Sequence, residues 1–277
     1  NNVNNNYHTN RMCAFSLRYT VDTVKLIKQK YPESYAKAMT QLNISEAELD
    51  KFMDISDNMY YPYVEELNVF AQQDGFMDKD LLKVSDISPD DRPLNQHWSW
   101  DRILRSCFIK QADVLQSMYN LPFEYTIEEK RRNFDFYEPM TVHESSLSPC
   151  IYSIIACEVG YHKKAYELYL RASRLDLDNY NNDTEDGLHI TSMAGTWLSI
   201  VHGFGGLRVK SGHLYLSPII PDTWQEYSFK LCFRKTTLDV IVSKKQISID
   251  VISGGHLDIF VFGKPYSISD KLKVDIN

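Results

Sequence analysis

Residues 181–207 read NNDTEDGLHITSMAGTWLSIVHGFGGL and contain the change from a helical to a strand-forming pattern. Polar, turn-forming residues open this stretch, and an apolar segment with small residues follows, which favours a helix beginning near Ser192. The helical pattern ends at Gly205 and Gly206, and the apolar residues beyond them alternate as they do in strands. The sequence therefore predicts a mainly helical part followed by a small β domain.

Helical periodicity runs through the first two-thirds of the chain. Residues 10–29 carry a broad apolar stripe, and Ser45 with Glu48 has the form of a capping box ahead of a second apolar run. Residues 147–159 are apolar almost all round, which predicts a helix buried on both sides. Residues 59–91 break the periodicity and predict a loop with short helices. The remaining predicted helices are 110–119, 163–175 and 192–202.

Period-two alternation of apolar residues follows residue 206. Short turn sequences rich in Ser, Lys and Gly separate the alternating segments, which is typical of hairpins. We therefore expect a helical domain over residues 1–205 and a small antiparallel, sandwich-like β domain over residues 206–277. The predicted strands are 207–209, 213–216, 227–233, 237–242, 246–251 and 257–262.

The composition of the 277 residues, 43% hydrophobic and 24% charged, is that of a globular protein. A net charge of −7 with scattered Lys and Arg argues against a nucleic-acid partner. The chain has no apolar run long enough to cross a bilayer and does not open with a signal peptide, so we expect no membrane partner. Five cysteines without CxxC spacing predict reduced thiols of a cytoplasmic protein and no metal site.

The start of the helix near Ser192 has two interpretations. The side chains of His189, Thr191 and Ser192, together with backbone N–H groups at a helix start, could bind an anion. An ordinary Thr or Ser cap would place the same residue types there. The local sequence alone favours the cap.

Two further segments carry candidate polar residues. Glu138, His143 and Glu144 lie within seven positions, in a loop that could line a polar pocket or could simply precede a helix. Lys110 and Gln111 open a predicted helix, where a cation is electrostatically the less expected charge and a specific partner is slightly favoured. Neither segment is specific by itself.

Together the segments resemble the glycoside phosphorylases of the maltose, kojibiose and trehalose phosphorylase family, glycoside hydrolase family 65, with the maltose phosphorylases the most similar branch. The resemblance covers essentially the whole chain, and its motifs occur in the family's order. The motifs are NNVNNNYHTNRM at 1–12, IKQADV at 109–114, DFYEPMTVHESSLSP at 135–149, TEDGLHITSMAGTW at 184–197 and LYLSPIIPDTW at 214–224.

The resemblance implies a fold, the later part of an (α/α)₆ barrel followed by a small β domain. It also implies a reaction in which an α-linked glucose disaccharide is split by inorganic phosphate with inversion, giving β-glucose 1-phosphate. A carboxylic acid protonates the leaving oxygen while phosphate attacks from the opposite face. Phosphate is then the co-substrate, and no cofactor is expected.

The resemblance also assigns residues. Lys110 and Gln111 match the pair that holds the transferred glucose, and Glu138 and Glu144 match positions near the pocket. We expect His189 and Ser192 to face the open end of the barrel, close to Lys110 and Gln111. The positions that match the phosphate-binding loop are His189, Thr191, Ser192 and Gly195.

In the family the general acid is a Glu just before the NNVNNN-like segment, so we expect it immediately upstream of Asn1. By that comparison the partner of this chain is the missing amino-terminal half of the same enzyme, and the chain alone would be inactive. A homodimer is the family's common assembly. Two alternatives stay open: a hydrolase of the same barrel in which Glu138 activates water, and a non-catalytic carbohydrate-binding fragment.

Overall fold

The computed structural model describes residues 3–276. Its helices are α1 (Tyr7–Lys30), α2 (Pro32–Leu42), α3 (Glu46–Asp57), α4 (Leu94–His97), α5 (Trp100–Arg105), α6 (Asp113–Asn120), α7 (Ile127–Tyr137), α8 (Ser148–Glu158), α9 (His162–Ser173) and α10 (Ile190–Leu198). The segment Ser199–Phe204 continues α10 as a π-helix. The predicted loop with short helices at 59–91 contains three short 3₁₀ turns. It also contains a two-stranded hairpin of β1 (Tyr63–Val64) and β2 (Val69–Phe70), which was not predicted.

The helices form two layers. In the first layer α1, α6, α8 and α10 pack in succession, and in the second α3 packs on α1, α7 on α6 and α8, and α9 on α8 and α10. Helix α8 contacts α6 and α10 of the first layer and α7 and α9 of the second, and every residue from Ser148 to Cys157 is buried. The predicted helix buried on both sides is therefore confirmed, whereas the assignment of these helices to the later part of an (α/α)₆ barrel stays a prediction.

Helix α7 was not predicted, because its sequence is dense in charged residues and has no broad apolar stripe. Thr126 and Glu129 form a capping box at its start, with the Thr126 hydroxyl accepting the backbone N–H of Glu129 and the carboxylate of Glu129 accepting that of Thr126. Its buried face is Lys130, Asn133, Phe134 and Tyr137, at helical spacing. The capping box was the available signal.

The carboxy-terminal part consists of two four-stranded sheets. One sheet has the order β10-β7-β6-β5 and is antiparallel throughout, and the other has the order β3-β4-β8-β9. The strands are β3 (Arg208–Lys210), β4 (His213–Leu216), β5 (Glu226–Phe233), β6 (Thr236–Ser243), β7 (Gln246–Ser253), β8 (Leu257–Val261), β9 (Lys264–Ile268) and β10 (Lys271–Asp275).

The expectation of a purely antiparallel domain was wrong in one place. Strands β4 and β8 pair in parallel, with Leu214 opposite Ile259 and Leu216 opposite Val261. Between them the chain crosses to the other sheet for three strands and then returns, so β8 runs in the same direction as β4. Parallel pairing requires such a long crossover connection. The sheet is therefore mixed.

The inward faces of the two sheets form the core of this part. Alternate residues of each central strand point inward, so a shift of one residue in register would move the apolar set to the solvent side. The fully buried members are Leu214, Leu216, Leu238, Val240, Val242, Ile247, Ile249, Ile259 and Val261.

The two parts meet around the end of the π-helical segment. The carbonyl oxygen of Phe204 accepts hydrogen bonds from the Tyr227 hydroxyl at 2.7 Å and from the backbone N–H of Ile219 at 2.7 Å. Gly206 follows with a φ of +60°, and a Cβ there would lie 2.4 Å from the backbone oxygen of Ser217. Only glycine fits the turn from helix to strand.

Gly206→Ala should lower the free energy of unfolding by about 1–3 kcal/mol, because alanine would have to adopt a left-handed conformation against a backbone oxygen. Thermal or urea denaturation measures the change. Gly255→Ala is the matched control, since its φ is not left-handed and its Cβ would have no neighbour within 4 Å. Equal stability of the two variants would contradict this account of the junction.

Candidate functional site

A cavity of about 340 Å³ lies where the first turns of α1, α6, α8 and α10 meet. His8 comes from α1, Gln111 and Asp113 from the start of α6, Cys150 from α8 and Thr191 from α10. Each of these helices begins beside a motif singled out in the sequence. We call this space the helix-start cavity.

The helix starts add partial positive charge to the cavity, and the Asp113 carboxylate in its lining adds negative charge. The first N–H groups of a helix have no partner within the helix, and the aligned peptide dipoles place about half a positive charge at that end. Several starts around one cavity therefore favour an anion or hydroxyl groups. The volume lies in the range typical of small-molecule sites, roughly 300–1,000 Å³.

Gln111 lines this cavity, whereas Lys110, the residue before it, lines a neighbouring one. The side chain of Gln111 lines both the helix-start cavity and a neighbouring cavity of about 500 Å³, which Lys110 also lines. Both residues are exposed, so their polar groups are accessible to a ligand. The structure thus brings Gln111 together with Thr191 and places Lys110 beside them.

One face of α10 forms a wall of the cavity, made of Thr191, Ala194, Gly195 and Leu198 at the spacing of successive helical turns. At Gly195 an added Cβ would lie 2.8 Å from Cβ of Cys150 and 2.9 Å from its Sγ. Gly195 therefore permits the close approach of α10 to α8. Its role in the structure is packing, and contact with phosphate stays a prediction.

Ser192 and His189 lie on other sides of the same helix start. Ser192 is 2% exposed, and its hydroxyl donates to the carbonyl oxygen of Ala172 in α9 at 2.8 Å. Consecutive helical residues point about 100° apart, so Ser192 faces α9 while Thr191 faces the cavity. Within residues 3–276, neither Ser192 nor His189 lines the helix-start cavity.

The His189 ring is held by two carboxylates. Its Nδ1 lies 2.6 Å from Oδ1 of Asp176, its Nε2 lies 3.4 Å from Oδ2 of Asp183, and its backbone N–H donates to Asp176 at 3.0 Å. The hydrogen bond to Asp176 raises the pKa of His189. The expected proximity of His189 and Ser192 to Lys110 and Gln111 stays a prediction, as does their contact with phosphate.

The two glutamates of the DFYEPMTVHESSLSP motif form ion pairs with basic side chains. Oε1 of Glu138 accepts from Nζ of Lys164 at 3.0 Å, in a separate cavity of about 450 Å³. Glu144 is buried and accepts from Nε of Arg92 and the backbone N–H of Leu94, both at 2.8 Å. Glu138 follows α7 in the second helix layer, which places it away from the helix-start cavity. Its contact with sugar stays a prediction.

Two residues of this cavity were missed by sequence reasoning. Nδ1 of His8 lies 2.8 Å from the Ser117 hydroxyl, and burial lowers the pKa of His8, which favours the neutral ring. Oδ2 of Asp113 accepts from the amides of Asn6 at 2.8 Å and Gln72 at 3.2 Å. His8 and Asp113 belong to the motifs NNVNNNYHTNRM and IKQADV, and their positions at helix starts were the available signal.

The cysteines, possible metal ligands and possible membrane-spanning helices can be examined across the described residues. Cys107, Cys150 and Cys157 are buried, Cys13 and Cys232 are exposed, and all are free thiols. Across residues 3–276 no three His, Cys, Asp or Glu side chains are grouped to hold a metal ion. In the same range, no helix is long and apolar enough to cross a membrane.

Comparison with known proteins gives two family matches. The profile of the "Glycosyl hydrolase family 65 central catalytic domain" matches residues 1–198, and that of the "Glycosyl hydrolase family 65, C-terminal domain" matches residues 207–268. The solved structure "Putative kojibiose phosphorylase from human microbiome" superposes with a TM-score of 0.89 and 38% identity, covering 99% of this chain and 38% of that one.

Two curated relatives are similar over nearly the whole chain. The maltose phosphorylase of Bacillus subtilis (strain 168) is 51% identical over 265 residues, which is 96% of this chain and 34% of the relative. The alpha,alpha-trehalose phosphorylase of Thermoanaerobacter brockii is 38% identical over 262 residues, 95% of this chain and 34% of the relative. The chain thus spans about a third of the length of these relatives.

The interaction of Asp176 with His189 should make the stability of the fold depend on pH. The raised pKa of His189 contributes stability that is present below pH 6.5 and lost as pH rises through the folded-state value. Burial acts to raise the pKa of Asp176, but the hydrogen bonds from His189 lower it overall, so its contribution is present above pH 3.8 and lost in acid. The pair should therefore stabilise the fold most near pH 5.

Asp176→Asn should lower the free energy of unfolding by about 0.5–1 kcal/mol near pH 5, and the loss should shrink above pH 7. Thermal denaturation from pH 4 to 9 measures it. Asp178→Asn is the control, because Asp178 pairs with Arg174, whose charge does not titrate in this range. A loss for Asp176→Asn that is the same at pH 5 and pH 8 would refute the assignment.

Proposed function

The chain belongs to glycosyl hydrolase family 65, and from this membership we propose that it is the carboxy-terminal part of an inverting disaccharide phosphorylase acting on maltose. The observation that carries the proposal is the helix-start cavity, where Gln111 and Thr191 meet among helix N-termini. The 51% identity to a maltose phosphorylase supports the choice of maltose. The proposed class is a glycoside phosphorylase, which transfers glucose to phosphate.

In the proposed reaction, phosphate oxygen attacks the anomeric carbon of the non-reducing glucose of maltose. The glycosidic C–O bond breaks, and a carboxylic acid gives its proton to the leaving oxygen. The products are glucose and β-glucose 1-phosphate. The proposed acid is a Glu of the segment preceding Asn1, as the family motif implies, so catalysis belongs to the whole protein.

The helix-start cavity supports the two binding tasks of this reaction. The side chains of Lys110 and Gln111, both exposed, are proposed to hydrogen-bond the hydroxyls of the transferred glucose. The first turn of α10, with the Thr191 hydroxyl, is proposed to bind the phosphate, since helix starts favour anions. The N-terminal end of α8 adds a second dipole of the same sign.

His189 and Ser192 fit this proposal as positioning residues. The Ser192 hydroxyl connects α10 to α9 by its hydrogen bond to Ala172. His189, the residue before α10, is held by Asp176. Both contacts orient the first turn that carries Thr191. Glu138, paired with Lys164, is left outside the proposed sugar site.

The rest of the barrel is proposed to cover one face of α10. Three large apolar residues of this helix are exposed: Ile190 at 66%, Met193 at 46% and Trp197 at 51%. An apolar helix face of this kind is normally covered by another element. Since the chain spans about a third of its relatives' length, the proposed cover is a helix of the amino-terminal portion of the same enzyme.

The whole protein, assayed with maltose, should release glucose only when inorganic phosphate is present. Equal amounts of glucose and β-glucose 1-phosphate are expected, because each cleavage transfers one glucose to one phosphate. Enzymatic glucose assay and ³¹P NMR measure the two products. Glucose release at the same rate without phosphate would instead establish the hydrolase alternative.

Thr191→Val in the whole protein should raise the KM for phosphate by about tenfold or more, because a hydroxyl that bonds a charged ligand is lost. The KM for maltose should change less. Thr196→Val is the matched control in the same helix, since its hydroxyl donates to the backbone oxygen of Ser192 within α10. If both variants have the same KM for phosphate, Thr191 does not bind it.

A further inference from the structure

A larger cavity of about 580 Å³ lies at the junction of the helices and the sheets. It is bordered by Phe123 and Lys130 near α7, Glu158 at the end of α8, Arg208 in β3, and Phe262 in the β8–β9 turn. The first turn of α8 lines the helix-start cavity, and its last two residues line this one. We call this space the junction cavity.

A charged cluster forms one wall of the junction cavity. Nζ of Lys130 lies 2.6 Å from Oε2 of Glu158, and Nε of Arg208 lies 3.0 Å from Oε1 of the same carboxylate. The side chains of Lys130 and Arg208 are only 3% and 11% exposed. Two buried cations therefore share one carboxylate, which leaves the wall with one excess positive charge.

The two cations also have hydrogen-bond capacity left. The Lys130 ammonium has three N–H donors, of which Glu158 and the carbonyl of Pro122 accept two. Arg208 has five, of which Glu158 accepts two and the carbonyls of His202 and Leu207 accept two more. Burial lowers the pKa of Lys130, although the Glu158 carboxylate acts to raise it.

Aromatic rings form the rim of the same cavity. Phe123 is 45% exposed and Phe262 is 39% exposed. Phe262 has a φ of +51°, a left-handed conformation that is unfavourable for a bulky residue. Phe262 and Gly263, whose φ is +74°, form the two-residue turn between β8 and β9, and such turns require left-handed residues. This turn places the phenyl ring at the cavity mouth.

We propose that the junction cavity binds a pyranose that carries one anionic group, a carboxylate or a phosphate. The anionic group bonds the free donors of Lys130 and Arg208 and offsets their excess charge. The apolar face of the pyranose lies against Phe123 and Phe262, and its hydroxyls reach Glu158. This site is separate from the helix-start cavity and does not depend on the phosphorylase reaction.

Isothermal titration of the whole protein with glucuronate, glucose 6-phosphate and glucose, in phosphate-free buffer with maltose present to occupy the helix-start cavity, tests the proposal. At least one of the two anionic sugars should bind about tenfold or more tightly than glucose, because glucose lacks the charged contact. The pair of anionic probes distinguishes a carboxylate from a phosphate ligand. Binding of neither, or equal binding of glucose, overturns the proposal.

Lys130→Met removes one cation and leaves Glu158 paired with Arg208, and it should weaken binding about tenfold or more. Lys271→Met is the control, since it removes an ion-paired lysine of β10 and should leave the affinity unchanged. The same affinity in Lys130→Met and Lys271→Met overturns the proposal.

Phe262→Gly separates binding from folding. Glycine adopts the left-handed conformation without strain, so thermal stability should be kept or raised, while loss of the ring should weaken binding about 2- to 10-fold. If Lys130→Met fails to fold, this variant decides alone. Unchanged affinity in Phe262→Gly overturns the proposal.

Discussion

The structure depends on the burial of α8 among helices of both layers. A helix that is buried on all sides must be in close contact with its neighbouring helices. Gly195 lets α10 approach Cys150 of α8 to a distance that a Cβ would prevent. The few polar groups of α8 are paired within the core, as in the bond from the Ser153 hydroxyl to the Ala165 carbonyl at 2.8 Å. This packing fixes the starts of α6, α8 and α10 around one cavity.

Much of the fold followed from periodicity. The buried helix at 147–159 and the strand at 213–216 were predicted nearly to the residue, because each has a strong and uniform apolar pattern. Helix α7 is mostly charged, and the edge strands β9 and β10 are short and largely exposed, so their apolar signal is weak. The parallel pairing of β4 with β8 depends on the path between sheets, which no local pattern encodes.

The sequence predicted which segments form the candidate site, but not which of their side chains point into it. Gln111 and Thr191 share the helix-start cavity, whereas Ser192, one residue further along α10, points to α9 instead. Adjacent residues of a helix face different neighbours, and sequence alone did not decide which face of α10 is turned inward. Both ends of α8 border cavities, one surrounded by helix starts and one by the shared charges of Glu158.

The account rests on the helix-start cavity being the place where phosphate and glucose meet. A crystal structure of the whole protein with glucose and phosphate tests this most directly. The account predicts phosphate within hydrogen-bond distance of the Thr191 hydroxyl and the first-turn amides of α10, with glucose against Lys110 and Gln111. Phosphate bound beside Glu138 and Lys164, or glucose out of reach of Gln111, would contradict it.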